Sequence, residues 1–343
     1  MTALASVVLA GVLLYLALGR DCEPKLLLPL GFGLLMGSVP TVFGRNGLTP
    51  AFVAGWEGPA APLDYLYLGV RSGFYAPLLF LGLGALTDFS AILARPRLLG
   101  AAFGAQVGVL VAFGLALVLG FDPREAACAA PTGVAEAPTA LFGGASLAPA
   151  MAVPGALAAY LWAALAPAIQ PAIMRLCTTA DDRRIRMSPG RVASRLEKTL
   201  FPLGAFAVVG LVAPPIAPLA GPFLLGNLLR ESGVCDGLSH TLRTALVDVV
   251  MVLFGLGLGL GAATGGLWSL RTVAVVVAAG AGFVAATAAG VLSLRILNRF
   301  CSEPANPLVG AAAVSPLADS ARLVQWVGSR EEPTNYLLAP ARG

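Results

Sequence analysis

Apolar runs of membrane-spanning length recur along the whole chain, and no other feature limits the fold so tightly. They occupy residues 2–19, 26–43, 74–93, 98–120, 153–174, 199–213, 244–262 and 272–294. A bilayer core needs about 20 apolar helical residues, so most runs are full spans and two are short enough to require tilt or interruption. Composition agrees: 57% of the 343 residues are hydrophobic and 12% charged, with a mean hydropathy of +0.83. That leaves too little polar surface to clothe a soluble globule of this size. The reading is an all-α polytopic membrane protein. The opening "MTALAS" carries no Lys or Arg, which favours a retained first helix over a signal peptide.

Several function classes are disfavoured by what is missing. The five cysteines are scattered, with no C-x-x-C pair and no histidine at metal-ligand spacing. His240 is the only histidine; it reads as solvated or interfacial, which argues against imidazole acid–base chemistry. The net charge of +4 comes from arginines beside helices, so it calls for no nucleic acid.

Those arginines also give a topology. The stretch "RLCTTADDRRIRMSPGRVASRLEK", residues 175–198, carries seven basic residues, and the positive-inside rule makes it cytoplasmic. It divides a first membrane half, residues 1–174, from a second, residues 199–343. Arg95 and Arg97 then lie inside, and the parity of crossings fails if residues 127–150 span the membrane. A broken or re-entrant element there, entering from outside, removes the conflict. Followed forwards, the same rule has residues 305–327 enter from the cytoplasm. Fifteen of the 22 basic residues fall inside and four outside, with three in or after the second irregular element. Two halves of opposite orientation, each with a discontinuous element, predict an inverted-repeat transporter.

Polar residues in those elements are site candidates. In "AAPTGVAEAPTALFGGAS", Glu136 lies between Pro131 and Pro138. A carboxylate at membrane depth is costly unless it holds a cation or proton; the alternative is a water-exposed carboxylate near the outer face. In "ANPLVGAAAVSPLADSARLVQW", Asn306 and Ser315 offer neutral oxygens suited to an alkali cation, and Gly310 permits close backbone approach. Arg322 is shaped to grip a carboxylate, or it pairs with Asp319 at i, i+3. Gly33 with Gly37, and Gly104 with Gly108, are small-x-x-x-small pairs expected at helix contacts.

At these residues the chain resembles a known family. "PLLFLGLGALTDFSAILARPRLLG", "AAYLWAALAPAIQPAIMRLCTT", "GNLLRESGVCDGLSHT" and "NPLVGAAAVS" match, in order, segments of the beta subunits of the sodium-translocating oxaloacetate, methylmalonyl-CoA and glutaconyl-CoA decarboxylases. The resemblance runs from about residue 24 to residue 338. It implies an elevator-type carrier of the bacterial inner membrane, assembled as a homotrimer with a biotin-carrying alpha subunit and a small single-helix gamma subunit. It also implies that carboxybiotin is decarboxylated on this subunit while sodium moves outward and a proton is consumed. By the family pattern Asn306, Gly310 and Ser315 lie at or beside sodium sites, and Arg322 meets the carboxybiotin carboxylate.

The sequence departs from that family at three places. Glu136 stands where the family has a sodium-binding aspartate, with Ala137 for a glycine. Trp162 replaces a tyrosine and offers only an N–H donor. Trp162 and Thr139 are therefore accessory candidates beside a catalytic and cation-binding Glu136. The family also continues beyond "TNYLLAPARG" with a further polar element and helix. The expectation is thus a divergent, C-terminally shortened decarboxylase subunit, with a same-fold cation or organic-anion carrier, or an inactive scaffold, as alternatives.

Overall fold

The computed structural model describes residues 2–20, 24–42, 62–187, 191, 193–264, 267–301, 304–314 and 318–341. Among these, every regular element is helical. The order is α1 (Thr2–Gly19), α2 (Pro24–Val42), α3 (Pro62–Arg71), α4 (Tyr75–Leu86), α5 (Ser90–Ala94), α6 (Leu99–Val118), α7 (Pro123–Ala129), α8 (Ala137–Leu147) and α9 (Pro149–Cys177). There follow α10 (Ala180–Arg184), α11 (Arg195–Val212), α12 (Ala217–Ser232), α13 (Asp236–Thr241), α14 (Val247–Thr264), α15 (Leu270–Leu297), α16 (Ala318–Glu331) and α17 (Leu338–Ala341).

Four helices among the described residues are long and apolar enough to cross a bilayer: Pro96–Val118, Pro149–Cys177, Asp236–Ala263 and Leu270–Leu297. A fifth is obtained if Asp64–Arg71 and Tyr75–Leu86, bent by 70°, count as one span. The apolar parts of α1 and α2, Leu4–Gly19 and Pro24–Ser38, are shorter. This is the architecture of a polytopic membrane protein. Outward faces carry apolar side chains of the kind that lipid or another membrane subunit covers. Leu4, Val8, Val12, Tyr15 and Leu18 line one exposed face of α1, and Phe103, Leu110 and Val118 are exposed on α6.

Inside, helices meet through glycine. A Cβ on Gly33 would strike the Leu256 carbonyl of α14, and one on Gly37 would meet Ala263. On α6, Gly104 abuts Ser293 and the Ala289 carbonyl, and Gly108 the Gly282 carbonyl, all on α15. Both small-residue pairs therefore sit at helix contacts, where backbone proximity supplies the dispersion attraction that lipid cannot outcompete.

Three local features differ from the reading by apolar runs. The run 74–93 is not one helix: α4 ends at Leu86 and α5 begins at Ser90. The Thr87 hydroxyl donates to the Leu83 carbonyl, and the Asp88 carboxylate accepts from the Ser90 amide and hydroxyl. These short polar side chains offer the backbone an alternative to continuing the helix. Asn227 of α12 then holds the end of α4 by donating to the Thr87 carbonyl at 2.8 Å. In addition α3 precedes α4, an amphipathic helix missed by a search for continuous apolarity. Finally, the run 244–262 is the tail of a longer helix, because α13 passes through a π-helical turn at Leu242–Leu246 into α14.

Candidate functional site

Both irregular stretches lean on α15. In the first, α7 gives way to a 3-10 turn at Ala130–Gly133, and α8 starts only at Ala137. Pro131 cannot donate an amide hydrogen, while its carbonyl accepts from Val134 at 2.9 Å and Ala135 at 2.7 Å, closing a turn instead of a helix. Gly133 is required by contact: a Cβ there would collide with the Ala279 carbonyl of α15. Pro138 falls in the first turn of α8, where its missing N–H costs nothing.

Glu136 is the N-cap residue of α8, extended at φ −75° and ψ 160°, and only 6% exposed. Its carboxylate makes no capping bond to the α8 amides. It lines a cleft of about 610 Å³, counting the solvent at the mouth, with Thr132, Tyr160, Trp162 and Ser320 among apolar walls. The positive end of the α8 dipole lies beside it. Glu136 is thus a buried carboxylate at the break, on the wall of a cleft that opens to solvent.

Trp162 reaches the same cleft from α9. Its Nε1–H donates to the Val276 carbonyl at 2.9 Å, and its ring stacks on Phe283 with centroids 5.7 Å apart. The one polar group of this side chain is therefore committed to α15, and Gly280 leaves the space the indole fills. Thr139 sits half-buried in the first turn of α8, outside the lining of the cleft.

The second irregular stretch is a 3-10 segment, Pro307–Ala313. Gly310 crosses Gly290 of α15 so closely that a Cβ on either would strike the other's carbonyl. Asn306, fully buried, caps the segment: its Oδ1 accepts from the Leu308 amide at 3.0 Å. Its Nδ2 donates to the carbonyls of Arg183 and Ile185, each at 2.9 Å. The Asn335 amide grips the same two carbonyls, at 3.5 and 3.0 Å. Arg183 with Glu331, and Arg186 with Glu332, add ion pairs at 2.9 and 2.8 Å. Residues 183–186 are thus laced to the second break and to the C-terminal end of α16.

The structure brings Glu136 and Trp162 into one cleft, while Asn306 and Gly310 are placed against the 183–185 backbone and α15. Ser315 lies outside the described residues, as does the Asp319 side chain. Arg322 is on α16 two residues beyond cleft-lining Ser320, turned about 200° round the helix, and is exposed.

Two polar residues outside the expected site set join the cleft to the second break. Gln170 of α9 is fully buried and donates from Nε2 to the Ala311 carbonyl at 3.0 Å. The Ser320 hydroxyl lies 2.7 Å from the Val314 carbonyl and 3.2 Å from Gln170 Oε1. A glutamine in the middle of an apolar helix is itself a signal, since polar groups there are rare and need a partner. Among the described residues, no cluster of three His, Cys, Asp or Glu side chains is placed to hold a metal ion. The polar atoms the site offers are mostly neutral oxygens and one carboxylate.

Comparison with known proteins gives this geometry a context. The family model of the Na+-transporting oxaloacetate decarboxylase beta subunit matches residues 2–343. The chain is 40% identical to the methylmalonyl-CoA decarboxylase subunit beta of Veillonella parvula, over 99% of the chain and 87% of the relative. It is 38% identical to the subunit of that name in Propionigenium modestum, over all of the chain and 90% of the relative. Against the oxaloacetate decarboxylase beta chain of Klebsiella pneumoniae the identity is 36%, over 97% and 88%. The chain belongs to the beta-subunit family of the Na+-transporting decarboxylases.

Proposed function

We propose that this chain is the membrane subunit that decarboxylates carboxybiotin and couples the reaction to outward sodium transport, with Glu136 alternately holding a sodium ion and a proton. The observation that carries the reading is a 6%-exposed carboxylate at a helix break, facing a cleft, in a chain of this family. A carboxylate in that setting is stabilised by binding a cation or a proton, and exchange between the two is the chemistry a pump requires. In the reaction the N–C bond of carboxybiotin breaks to release carbon dioxide, and the ureido nitrogen takes up a proton. A Glu136 that surrenders its proton on that side is left charged and ready for sodium. Arg322, exposed on α16, is the proposed partner of the incoming carboxylate. The Asn306 Oδ1, with its second lone pair, Gly310 and Ser315 complete the proposed cation-binding set, and Trp162 and Thr139 are accessory.

The same reading includes a biotin-carrying alpha subunit, a small gamma subunit, a homotrimer in the bacterial cytoplasmic membrane, and elevator-type movement of two inverted halves. Residues 175–198 lie on the cytoplasmic side in this scheme. Trp162 in place of a family tyrosine favours a second reading, a cation carrier of the same fold that does not decarboxylate, because its N–H is committed to Val276.

Purified chain in proteoliposomes, supplied with free carboxybiotin, separates the two. Carbon dioxide release that rises with sodium and is accompanied by sodium uptake is the expected result. Sodium–proton exchange with carboxybiotin left intact would replace the decarboxylase with the carrier.

A further inference from the structure

We propose that Arg175, Trp326 and Arg330 form a binding site for the phosphate of an anionic phospholipid whose acyl chain lies along α9. The inference is independent of the chemistry proposed for the cleft and uses none of its residues.

The site is made where two helices end together. Arg175 lies in the last turn of α9 and Arg330 in the last turn of α16. Their guanidinium carbons stand 5.8 and 3.9 Å from the centroid of the same Trp326 ring, which is 43% exposed. The helix dipole accounts for a basic residue at each C-terminus, but it does not bring two like charges to one indole. Among the described residues neither guanidinium has an ion pair or a hydrogen bond. The carboxylates that follow in the chain, Glu331 and Glu332, are engaged by Arg183 and Arg186. A guanidinium attracted to a ring by its charge keeps its N–H donors for another partner. Two such groups beside one indole, with no carboxylate of the chain between them, suit a phosphate.

The face that leads to this phosphate site is what makes the ligand a lipid. Helix α9 is long and apolar enough to span a bilayer, and Leu161, Leu165, Ala168, Ala172 and Leu176 are exposed along it. Their spacings of three and four put them on one side of the helix, the side on which Arg175 also falls. Leu176, next to Arg175, is 86% exposed. From Leu161 to Leu176 the stripe rises about 22 Å, more than the roughly 15 Å of hydrocarbon in one leaflet. An apolar stripe that ends in an indole and two arginines has the order of a phospholipid: chain, interface, headgroup. A soluble phosphate has no use for the stripe, and an acidic protein surface would meet the arginines alone. Bound there, the headgroup ties the end of α9 to the end of α16, the two helices that bring Trp162 and Ser320 to the cleft.

Native mass spectrometry of the full chain in detergent, with dioleoyl phosphatidylglycerol and dioleoyl phosphatidylcholine supplied in equal amounts, tests the proposal without turnover. The wild type should retain phosphatidylglycerol in preference. Arg175→Gln and Arg330→Gln should each weaken its binding about fivefold. Trp326→Leu, which keeps both charges, should weaken it about two- to fivefold. Arg299→Gln makes the same charge change at another exposed arginine and should leave binding unchanged. Each variant is compared at the elution volume of folded wild type on size exclusion. Equal retention of the two lipids by the wild type overturns the site, and so does unchanged retention in both Arg175→Gln and Arg330→Gln. A loss in Arg299→Gln as large as in those two overturns it as well, because the attraction is then to net charge alone. Full displacement of phosphatidylglycerol by millimolar sn-glycerol 3-phosphate would make the occupant a soluble anion and overturn the lipid assignment.

Discussion

The two interruptions of the helical bundle are built in opposite ways. Around Glu136 the chain is held by packing: Gly133 against α15, prolines fixing the turns, and a carboxylate that does not cap its own helix. Around Asn306 it is held by side-chain amides. Asn298 exchanges two hydrogen bonds with the Ala305 backbone, Asn306 and Asn335 share the Arg183 and Ile185 carbonyls, and Gln325 receives the Leu337 and Leu338 amides. Backbone polar groups freed from a helix must be paired somewhere, and the second break pairs them with fixed side chains. The first break leaves its ionisable group facing a cleft. In the proposed reading the first break supplies the carboxylate that exchanges the bound ion, and the amide-braced second break supplies fixed neutral oxygens beside it.

Steric collision should break the framework most completely. Gly310→Val drives a branched side chain into the Gly290 carbonyl, and such overpacking costs about 3 kcal/mol or more. The expected outcome is loss of folded protein on size exclusion in detergent. A folded, monodisperse variant would mean that this crossing is loose.

Hydrogen bonding gives a graded comparison. Asn306→Ala removes three bonds, one buried and two part-buried, and should cost about 2–4 kcal/mol, read as a lowered thermal midpoint. Asn335→Ala should cost less, about 1–2 kcal/mol, because Asn306 still serves the same carbonyls. The reverse ranking would show that the C-terminal segment, and not the cap, holds residues 183–185.

A smaller effect concerns acid. The Thr334 hydroxyl, and after it the Arg186 guanidinium, hold Glu332 below its ordinary value of 4.5. A carboxylate lowered on folding contributes stability above its unfolded value, and that contribution is lost as pH falls through the folded value. Tryptic cleavage within residues 175–198 should therefore be flat from neutral pH down to about 5 and increase in samples exposed to more acid conditions before digestion. Glu332→Gln should be cleaved faster at neutral pH and show less of that acid response. An acid response identical to that of wild type would exclude the pair with Arg186 as its source.

The parts of this molecule that were legible in the sequence are those set by apolar length and by glycine spacing. The pairs Gly33–Gly37 and Gly104–Gly108 announced two helix contacts, and crossing parity pointed to an interruption near Glu136. The end of α4 was hidden, because Thr87 and Asp88 act through local hydrogen bonds that hydropathy does not register. The roles of Asn306 and Gln170 were hidden for a different reason. A neutral amide is both donor and acceptor, and only its partners decide which atom remains for a ligand. Gln170 and Ser320 are 150 residues apart, and nothing local in either segment indicates that they meet.

The assignment of ion exchange to the first break is tested most directly by sodium uptake into proteoliposomes of checked inside-out orientation, comparing wild type, Glu136→Gln and Glu136→Asp. The glutamine variant keeps size and hydrogen-bonding capacity but not charge, so uptake should fall to background. The aspartate variant keeps the charge at shorter reach and should transport with altered sodium affinity. Uptake in Glu136→Gln equal to wild type would contradict the account.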